Sequence, residues 1–278
     1  MGDHGAARSA WINFLTDYGL EDNFVGVCRG VIARIAPEAR VIDVTHAVPP
    51  GDVAHGAEVL RQSVEYLPRG VHLVVVDPGV GTARRPVALV AEDGVFVGPD
   101  NGVLVPAAEL LGGVREAYEL TDPRFHLRRV FRTFHGRDVF APVAAHLASG
   151  VPPAELGPRI DPGSLTRLPE PPRRREGDVL HGSVVLQDRY GNLQTSLDAG
   201  LLAGERHGGR FTLRAGGIAM TIPYVETFGS VGRGEVMAYL DAADRLAFAV
   251  NLGSAAGLLG LREGDTFELE VPPPGRRG

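Results

Sequence analysis

The sequence predicts an α/β protein with two domains, an N-terminal α/β domain with a mostly parallel sheet and a C-terminal antiparallel β-barrel domain. Apolar strands and amphipathic helices alternate in the first half of the chain, and short strands of alternating polarity follow in the second half. A stretch rich in proline and arginine separates the two patterns. We therefore predict domains at 10–165 and 178–273, joined by an extended linker at 166–177.

The first half is predicted to run strand, helix, strand, helix, strand. Both helices show apolar residues at spacings of three and four, and Pro37 follows the first helix as a stop signal. The last strand is apolar on both faces, which is typical of a buried parallel strand. Asp93 and Gly94 then separate two apolar runs and predict a hairpin. In chain order the elements are WINFLTD, the helix at 24–35, VIDVTHAV, the helix at 53–67 and VHLVVVD.

The second half contains short strands at regular spacing. Two of them lie on either side of Gly216-Gly217, a pair that is typical of a tight turn. Such a succession of strands is typical of a small antiparallel barrel or sandwich. The predicted strands are SVVLQD, FTLRA, IAMTIPYV, VMAYLD, RLAFAVN and TFELEV.

Composition excludes several classes of chemistry. All 28 basic residues of the 278-residue chain are arginine. The absence of lysine excludes a Schiff base, a pyridoxal phosphate aldimine and a phosphate-binding loop ending in Gly-Lys-Ser/Thr. A net charge of -6 argues against nucleic acid or an anionic membrane as the main partner, and no apolar run approaches the ~18 residues of a membrane span. The single cysteine, Cys28, can form no internal disulfide, so we expect it in the core and the protein in the cytoplasm.

The sequence predicts neither a metal site nor a serine nucleophile. It has no His-x-x-x-His pair with a third ligand nearby, no cluster of cysteines and no Gly-x-Ser-x-Gly motif. We therefore expect no bound metal.

Polar residues follow the first strand, where an open α/β sheet binds its ligands. Asp17 comes directly after the strand, and Asp22 and Asn23 precede the first helix. A carboxylate at this position can accept hydrogen bonds from both hydroxyls of a ribose. Alternatively, Asp17 is a turn residue and Asp22 or Asn23 caps the helix.

A second polar group follows the most apolar strand. Asp77 opens the segment DPGVGTARR, which ends near Arg84. Its two glycines suggest either a phosphate-binding loop or a tight turn that brings the carboxylate and the guanidinium together. Such a pair is either structural or the polar part of a site. His135, in TFHGRD ahead of a helix, is a candidate catalytic residue.

In the second half, the segment LQDRYGNLQTSL interrupts a strand. A hairpin turn explains it, but Asp188 and Asn192 could also bind an amino-acid head group while Tyr190 stacks on a base. Asn251 precedes a glycine turn and either caps a helix or lies beside an adenine edge.

These segments together resemble one family, the adenosine-forming S-adenosylmethionine (SAM) hydrolases, also called SAM hydroxide adenosyltransferases. The fluorinases and chlorinases are their relatives. The resemblance covers nearly the whole chain from Trp11 to about Leu269, and the motifs occur in the family's order. They are FLTDYGLEDNFVGVCRG, VIDVTHAVPPGDV, VVDPGVGTARR, VGPDNGVL, TFHGRDVFAPVAAHLA, DRYGNLQTSL and AVNLGSAAGLLGL.

The resemblance implies a homotrimer that binds SAM between neighbouring subunits and needs no cofactor, because SAM is the substrate. Hydrolysis would yield adenosine and L-methionine. The implied water-activating triad is Asp77, Arg84 and His135. Asp17, with Asp22 and Asn23 beside it, would hold the ribose. The other implied contacts are Asp188 and Asn192 with methionine, and Tyr190, Val250 and Asn251 with adenine.

Two positions distinguish this chain from the halogenases it resembles. They carry tyrosine where Asp77 stands, and serine or glycine where Gly136 stands. A carboxylate at position 77 would repel a halide and favour a polarised water. The Ser-Arg pair that holds methionine in the halogenases corresponds here to Ala242-Ala243. Alternative functions are halide-dependent adenosyl transfer and a sensor that binds SAM or adenosine without turnover.

Overall fold

The computed structural model describes residues 11–271 and divides the chain into two compact units, Met1–Leu168 and Pro169–Gly278. The first unit contains a seven-stranded sheet in the order β2-β1-β3-β5-β4-β6-β7. The neighbours among β2, β1, β3 and β5 pair in parallel, and the remaining pairs are antiparallel. The strands are β1 (Trp11–Thr16), β2 (Arg40–Thr45), β3 (Gly70–Val75), β4 (Pro86–Val90), β5 (Gly94–Pro99), β6 (Glu116–Glu119) and β7 (Arg159–Ile160).

The α/β class is therefore confirmed, with a sheet that is parallel in one half and antiparallel in the other. The predicted hairpin accounts for part of the antiparallel half, because Val90 of β4 pairs with Val95 of β5 across the Asp93-Gly94 turn. Parallel strands need a long crossover connection, whereas the short turn between β4 and β5 allows only antiparallel pairing.

Four α-helices within the described residues accompany this sheet, and its two faces contribute to separate apolar cores. Residues alternate between the cores along each buried strand, as the pleat of a strand requires. Ile12 and Phe14 of β1 pack with the first and last helices, whereas Leu15 packs in the core of the middle two. The helices are α1 (Phe24–Ile35), α2 (Val53–Ser63), α3 (Val105–Leu110) and α4 (Ala141–Ala148). Cys28 of α1 is fully buried, as predicted, and burial raises the pKa of its thiol to about 12.

The second unit is an antiparallel, barrel-like sheet in the order β12-β11-β15-β9-β10-β14-β13. A bridge between Tyr224, just after β12, and Ala238 of β13 brings the two ends of this order together. Gly216 and Gly217 form the two-residue turn between β11 and β12, both with positive φ. The elements are β8 (Arg174–Glu176), β9 (Val179–Gln187), β10 (Leu193–Asp198), β11 (Arg210–Ala215), β12 (Ile218–Pro223), β13 (Val236–Leu240), β14 (Arg245–Val250), α5 (Ala255–Leu259) and β15 (Thr266–Glu270).

The structure differs from the predicted linker at its carboxyl end. Residues 174–176 form β8, which pairs with the first part of β9. Strand β10 pairs only with the later part of β9, from Val184 onward, so β8 occupies a stretch of strand edge that β10 leaves open. Hydrogen bonds to this free edge order a segment whose composition indicates a solvated chain.

No helix within residues 11–271 is both long enough and apolar enough to cross a bilayer.

Candidate active site

The first unit brings Asp77, Arg84 and His135 into direct contact. Asp77 lies two residues beyond β3, and the Arg84 guanidinium donates to both of its carboxylate oxygens. The Nε–Oδ1 distance is 2.9 Å. The Nη2 of the same guanidinium lies 3.1 Å from Nδ1 of His135. Arg84 therefore links the other two side chains, which are separated by more than fifty positions in the sequence.

This cluster is well shielded from solvent. The side chains of Arg84 and Asp77 are 9% and 6% exposed, and the guanidinium carbon lies 5.1 Å from the centre of the Phe140 ring. The remaining nitrogen, Nη1, is buried and has no hydrogen-bond partner among residues 11–271. A buried guanidinium N–H without a partner is rare in folded proteins, so Nη1 is available to an acceptor such as water.

The contact with Arg84 determines the protonation of His135. A guanidinium can only donate, so Nδ1 must be the acceptor and the proton of the neutral ring lies on Nε2. Burial, and then the charge of Arg84, lower the pKa of His135 below its usual value. Near neutral pH the ring is therefore uncharged and presents an N–H donor.

The turn after β3 holds Arg84 in place. Backbone hydrogen bonds from Val80 to Asp77 and from Thr82 to Gly79 fold the segment back on itself. Gly81 has φ +77°, and a Cβ there would lie 2.5 Å from the carbonyl oxygen of Arg132. The glycines thus serve a tight turn that packs closely on a neighbouring segment, and the alternative in which the turn brings the ion pair together is confirmed.

A buried carboxylate orders the segment that carries His135. Asp138 is fully buried, accepts from the backbone N–H of Phe131 at 2.8 Å and pairs with Arg137 at 2.6 Å. His135 is the residue before a five-residue π-helical turn, Gly136–Phe140, that continues into α4. These contacts hold the imidazole in position at the start of a rigid element.

Asp17 and Tyr18 line a cavity of about 380 Å³ beside this cluster. The Asp17 carboxylate accepts from the backbone N–H of Gly51 at 2.8 Å, and burial raises its pKa. The same cavity is lined by Asp77 and His135, so three of the predicted site residues face a common space. The contact of one Asp17 oxygen with Gly51 is the structural contact of a turn residue.

Asp22 and Asn23 do not line this cavity. Both are exposed, and Asn23 occupies the N-cap position of α1 without a side-chain cap hydrogen bond. Phe24, the next residue, lines the cavity instead. The helix cap was therefore correct in position, but the structure does not support it with the expected side-chain bond.

In the second unit, Asp188 and Asn192 form a closed turn between β9 and β10. Asp188 Oδ1 accepts from the backbone N–H groups of Tyr190 and Asn192, and Oδ2 accepts from the Asn192 side-chain amide at 2.7 Å. The hairpin interpretation is thus correct. The ring of Tyr190 is 71% exposed, which leaves it free to stack on a planar ligand.

Asn251 supports the loop that follows β14. Its side-chain amide donates to the carbonyl of Val231 at 2.8 Å, and Val250 beside it is buried. Helix α5 is capped by Ser254, whose hydroxyl accepts from Gly257 N–H, so Asn251 does not cap that helix. The position of Ala242-Ala243 is a tight turn closed by Asp241, which accepts from the N–H groups of Ala243 and Arg245.

Sequence reasoning missed the aromatic side of the cavity. Tyr18, Phe24 and Phe134 pack edge to face, with ring centres 5.3 to 5.9 Å apart. These residues are separated in the sequence, and a single aromatic residue carries no signal of such a contact. The only available hint was the position of Tyr18 directly after Asp17.

Comparison with known proteins assigns the family. Residues 12–157 match the N-terminal domain model of the SAM hydroxide adenosyltransferases, and residues 182–268 match the C-terminal domain model. The chain belongs to the SAM hydroxide adenosyltransferase family. The resemblance identified from the motifs is therefore confirmed.

Individual relatives agree with this family assignment. A protein of Salinispora tropica named (R)-S-adenosyl-L-methionine hydrolase is 52% identical over 95% of this chain and 98% of its own length. A fluorinase of Actinoplanes sp. is 30% identical, over 93% of this chain and 96% of the fluorinase. A crystal structure of an uncharacterized conserved protein from Thermotoga maritima superposes with a TM-score of 0.87 at 40% identity, covering 93% of this chain and 99% of that one.

Proposed function

We propose that the protein hydrolyses SAM to adenosine and L-methionine through the Asp77–Arg84–His135 cluster. The observation that carries this proposal is the buried cluster on the wall of a cavity that Asp17 also lines. The higher identity to a named SAM hydrolase than to a fluorinase agrees with it.

The chemistry requires little from the protein beyond orientation and electrostatics. The water oxygen bonds to C5′ while the C5′–S bond breaks. The electron pair of the breaking bond stays on sulfur and neutralises the sulfonium as methionine leaves. No acid is needed for such a leaving group. Holding water in line with the C5′–S bond replaces a bimolecular encounter by a positioned one.

Asp77 is the proton acceptor in this proposal. As the new bond forms, positive charge develops on the attacking oxygen, and its protons become acidic enough for a carboxylate to accept one. His135 cannot take this role through Nδ1, which already accepts from Arg84, or through Nε2, which carries the proton. His135 instead donates from Nε2, and Arg84 holds the carboxylate and imidazole in a fixed geometry.

Asp17 is proposed to bind the ribose hydroxyls with its carboxylate. For the second unit, we propose that Asp188 and Asn192 orient the methionine end and that Tyr190, Val250 and Asn251 contact the adenine. The groups there that make no hydrogen bond to residues 11–271 include the side-chain carbonyl oxygen of Asn192, and the Tyr190 ring is exposed. Asp22 and Asn23, being exposed at the start of α1, would act on the ribose only indirectly.

We further propose a cytoplasmic homotrimer with SAM between neighbouring subunits. Exposed apolar side chains, Leu20 at 75% and Phe131 at 41%, support an interface. A buried, unpaired Cys28 agrees with a reducing compartment. Sedimentation equilibrium of the full chain tests the trimer, and a mass equal to a single chain would contradict it.

Product analysis in labelled water tests the reaction. Purified protein is incubated with each sulfonium epimer of SAM in H₂¹⁸O, since the Salinispora relative is named for the (R) epimer. We expect adenosine carrying ¹⁸O at the 5′ position and an equal amount of methionine. A parallel reaction with chloride tests for 5′-chloro-5′-deoxyadenosine. Binding without product would instead support the sensor alternative.

Two substitutions test the cluster. Asp77→Asn removes the proton acceptor, and Arg84→Lys removes the fork that binds Asp77 and His135 together, so each should lower kcat by roughly a hundredfold or more. The KM for SAM should change little. Arg115→Lys, in an exposed ion pair with Glu92, is the matched control and should retain full activity. Full activity in both cluster variants would overturn the assignment.

A further inference from the structure

The hydroxyl of Tyr18 lies unusually close to the backbone of Gly136. A Cβ built on Gly136 would be only 2.0 Å from that oxygen and 3.1 Å from the ring carbon that bears it. Any side chain at position 136 would therefore collide with Tyr18 in this position. The φ of Gly136 is not positive, so steric exclusion is the only reason in the structure for glycine here.

The ring of Tyr18 is held firmly by its neighbours. Phe24 and Phe134 contact it edge to face, with ring centres 5.7 and 5.9 Å away. These contacts place the phenol oxygen, which could otherwise swing, at a defined point on the cavity wall. Tyr18 lines the same cavity as Asp77 and His135.

The Tyr18 hydroxyl does not contribute a hydrogen bond to the fold of residues 11–271. It makes no hydrogen bond to any of residues 11–271, although it lies in a cavity with charged groups. Burial raises its pKa well above the usual value, and the negative charges of Asp17 and Asp77 add to this effect. It is thus a neutral group that can both donate and accept a hydrogen bond.

We propose that the Tyr18 hydroxyl, seated over Gly136, orients the attacking water and limits the space for any larger nucleophile. This inference rests on the proposed hydrolysis. The hydroxyl occupies room that a bulkier anion would need, while offering water a polar partner in the cavity that Asp77 also lines. Tyr18 would thus be a specificity-determining residue that neither the ion pair nor His135 can replace.

The test compares Tyr18→Phe with the parent protein, using azide as a larger competing nucleophile. Attack by azide nitrogen on C5′, with loss of methionine, yields 5′-azido-5′-deoxyadenosine and needs no proton transfer. We expect kcat for hydrolysis to fall about tenfold with KM for SAM within twofold, as for loss of one hydrogen bond in the transition state. The rate of azide-product formation should itself rise at least threefold, because the fall in hydrolysis alone would already raise the ratio of the azide product to adenosine. Tyr66→Phe, whose side chain is 82% exposed, is the control and should change neither value.

A second pair of variants tests the contact separately from folding. Gly136→Ala should lower both stability and kcat because Tyr18 must move. Adding Tyr18→Phe removes the oxygen and should restore part of the lost thermal stability.

Each outcome is decisive. Unchanged kcat or an unchanged rate of azide-product formation in Tyr18→Phe overturns the proposal, as does an absence of rescue in the double variant. Failure of the proposed function has a different signature, since the unmodified protein would then release no adenosine at all.

Discussion

At the scale of single residues, Arg84 organises the site. One guanidinium pairs with a carboxylate through two nitrogens, shares one of them with an imidazole and lies against the Phe140 ring. A lysine ammonium has neither the planar fork nor the reach to make all of these contacts at once. Because guanidinium never loses its proton near neutral pH, the arrangement also sets the protonation of its histidine partner.

The protonation of His135 should determine how activity depends on pH. Its pKa is lowered by burial and by Arg84, and the proposed active form is the neutral ring. Activity should therefore be full above this lowered pKa and should fall as the pH drops through it. The midpoint of this fall should lie below ~6.5, the usual pKa of histidine. In His135→Asn, the amide oxygen replaces Nδ1 as acceptor and does not titrate. We expect this variant to lose the acidic limb of the kcat/KM profile that His135 causes, and an unchanged limb would assign it to another group.

At the scale of elements, the turn at 77–84 and the segment before α4 form one packed structure. Gly81 lies against the backbone of Arg132, and Asp138 ties Phe131 to the π-helical turn that follows His135. The positions of Arg84 and His135 thus depend on contacts between two distant segments. A substitution that displaces one of these segments should therefore also displace the other.

Gly81→Ala tests this coupling. Its φ of +77° and the 2.5 Å approach to the Arg132 carbonyl make any side chain strained, so we expect a loss of about 2 kcal/mol in the free energy of unfolding. Activity should fall as well, because the turn carries Arg84. Gly30→Ala is the matched control. It lies in α1 with nothing within 4 Å of the added Cβ and should be stabilising by about 0.5–1 kcal/mol. Equal effects in chemical denaturation would contradict this account.

At the scale of the whole molecule, stability should decline in acid. His72 in β3 is 1% exposed and stacked on Phe96 with ring centres 4.6 Å apart, and burial lowers its pKa to about 4. The unfolded chain takes up a proton near pH 6.5, whereas the folded protein does not until about pH 4. The titration of His72 therefore leaves the free energy of unfolding undiminished above pH 6.5 and lowers it as the pH falls toward 4.

His72→Phe should remove this acid sensitivity while keeping the aromatic contact with Phe96. Between pH 7 and pH 4, the free energy of unfolding measured with denaturant should fall by up to about 3 kcal/mol less in this variant than in the parent. Other partly buried histidines with lowered pKa, such as His146, will leave a residual dependence of the same sign. Identical slopes in the two proteins would show that His72 does not titrate as described.

Much of the fold could be predicted from local pattern. The helical stripe of α1, the apolar run of β3 and the glycine pair between β11 and β12 each depend on residues close together in the sequence, and each was found where expected. Strand β8 was not predicted from the sequence, because its three residues lie in a segment whose composition is typical of linkers. Its order comes from the free edge of β9.

The sequence by itself determined the family, the α/β class and the candidates Asp77, Arg84 and His135, since residue type and ordered motifs are local properties. Only the tertiary structure decided that Arg84 joins the other two, that Nδ1 of His135 is an acceptor and that the Tyr18 hydroxyl fills the space over Gly136. The reason is physical: these facts depend on distances between segments up to more than a hundred positions apart. Spacing along the chain does not encode such distances, because packing of the two cores brings the segments together.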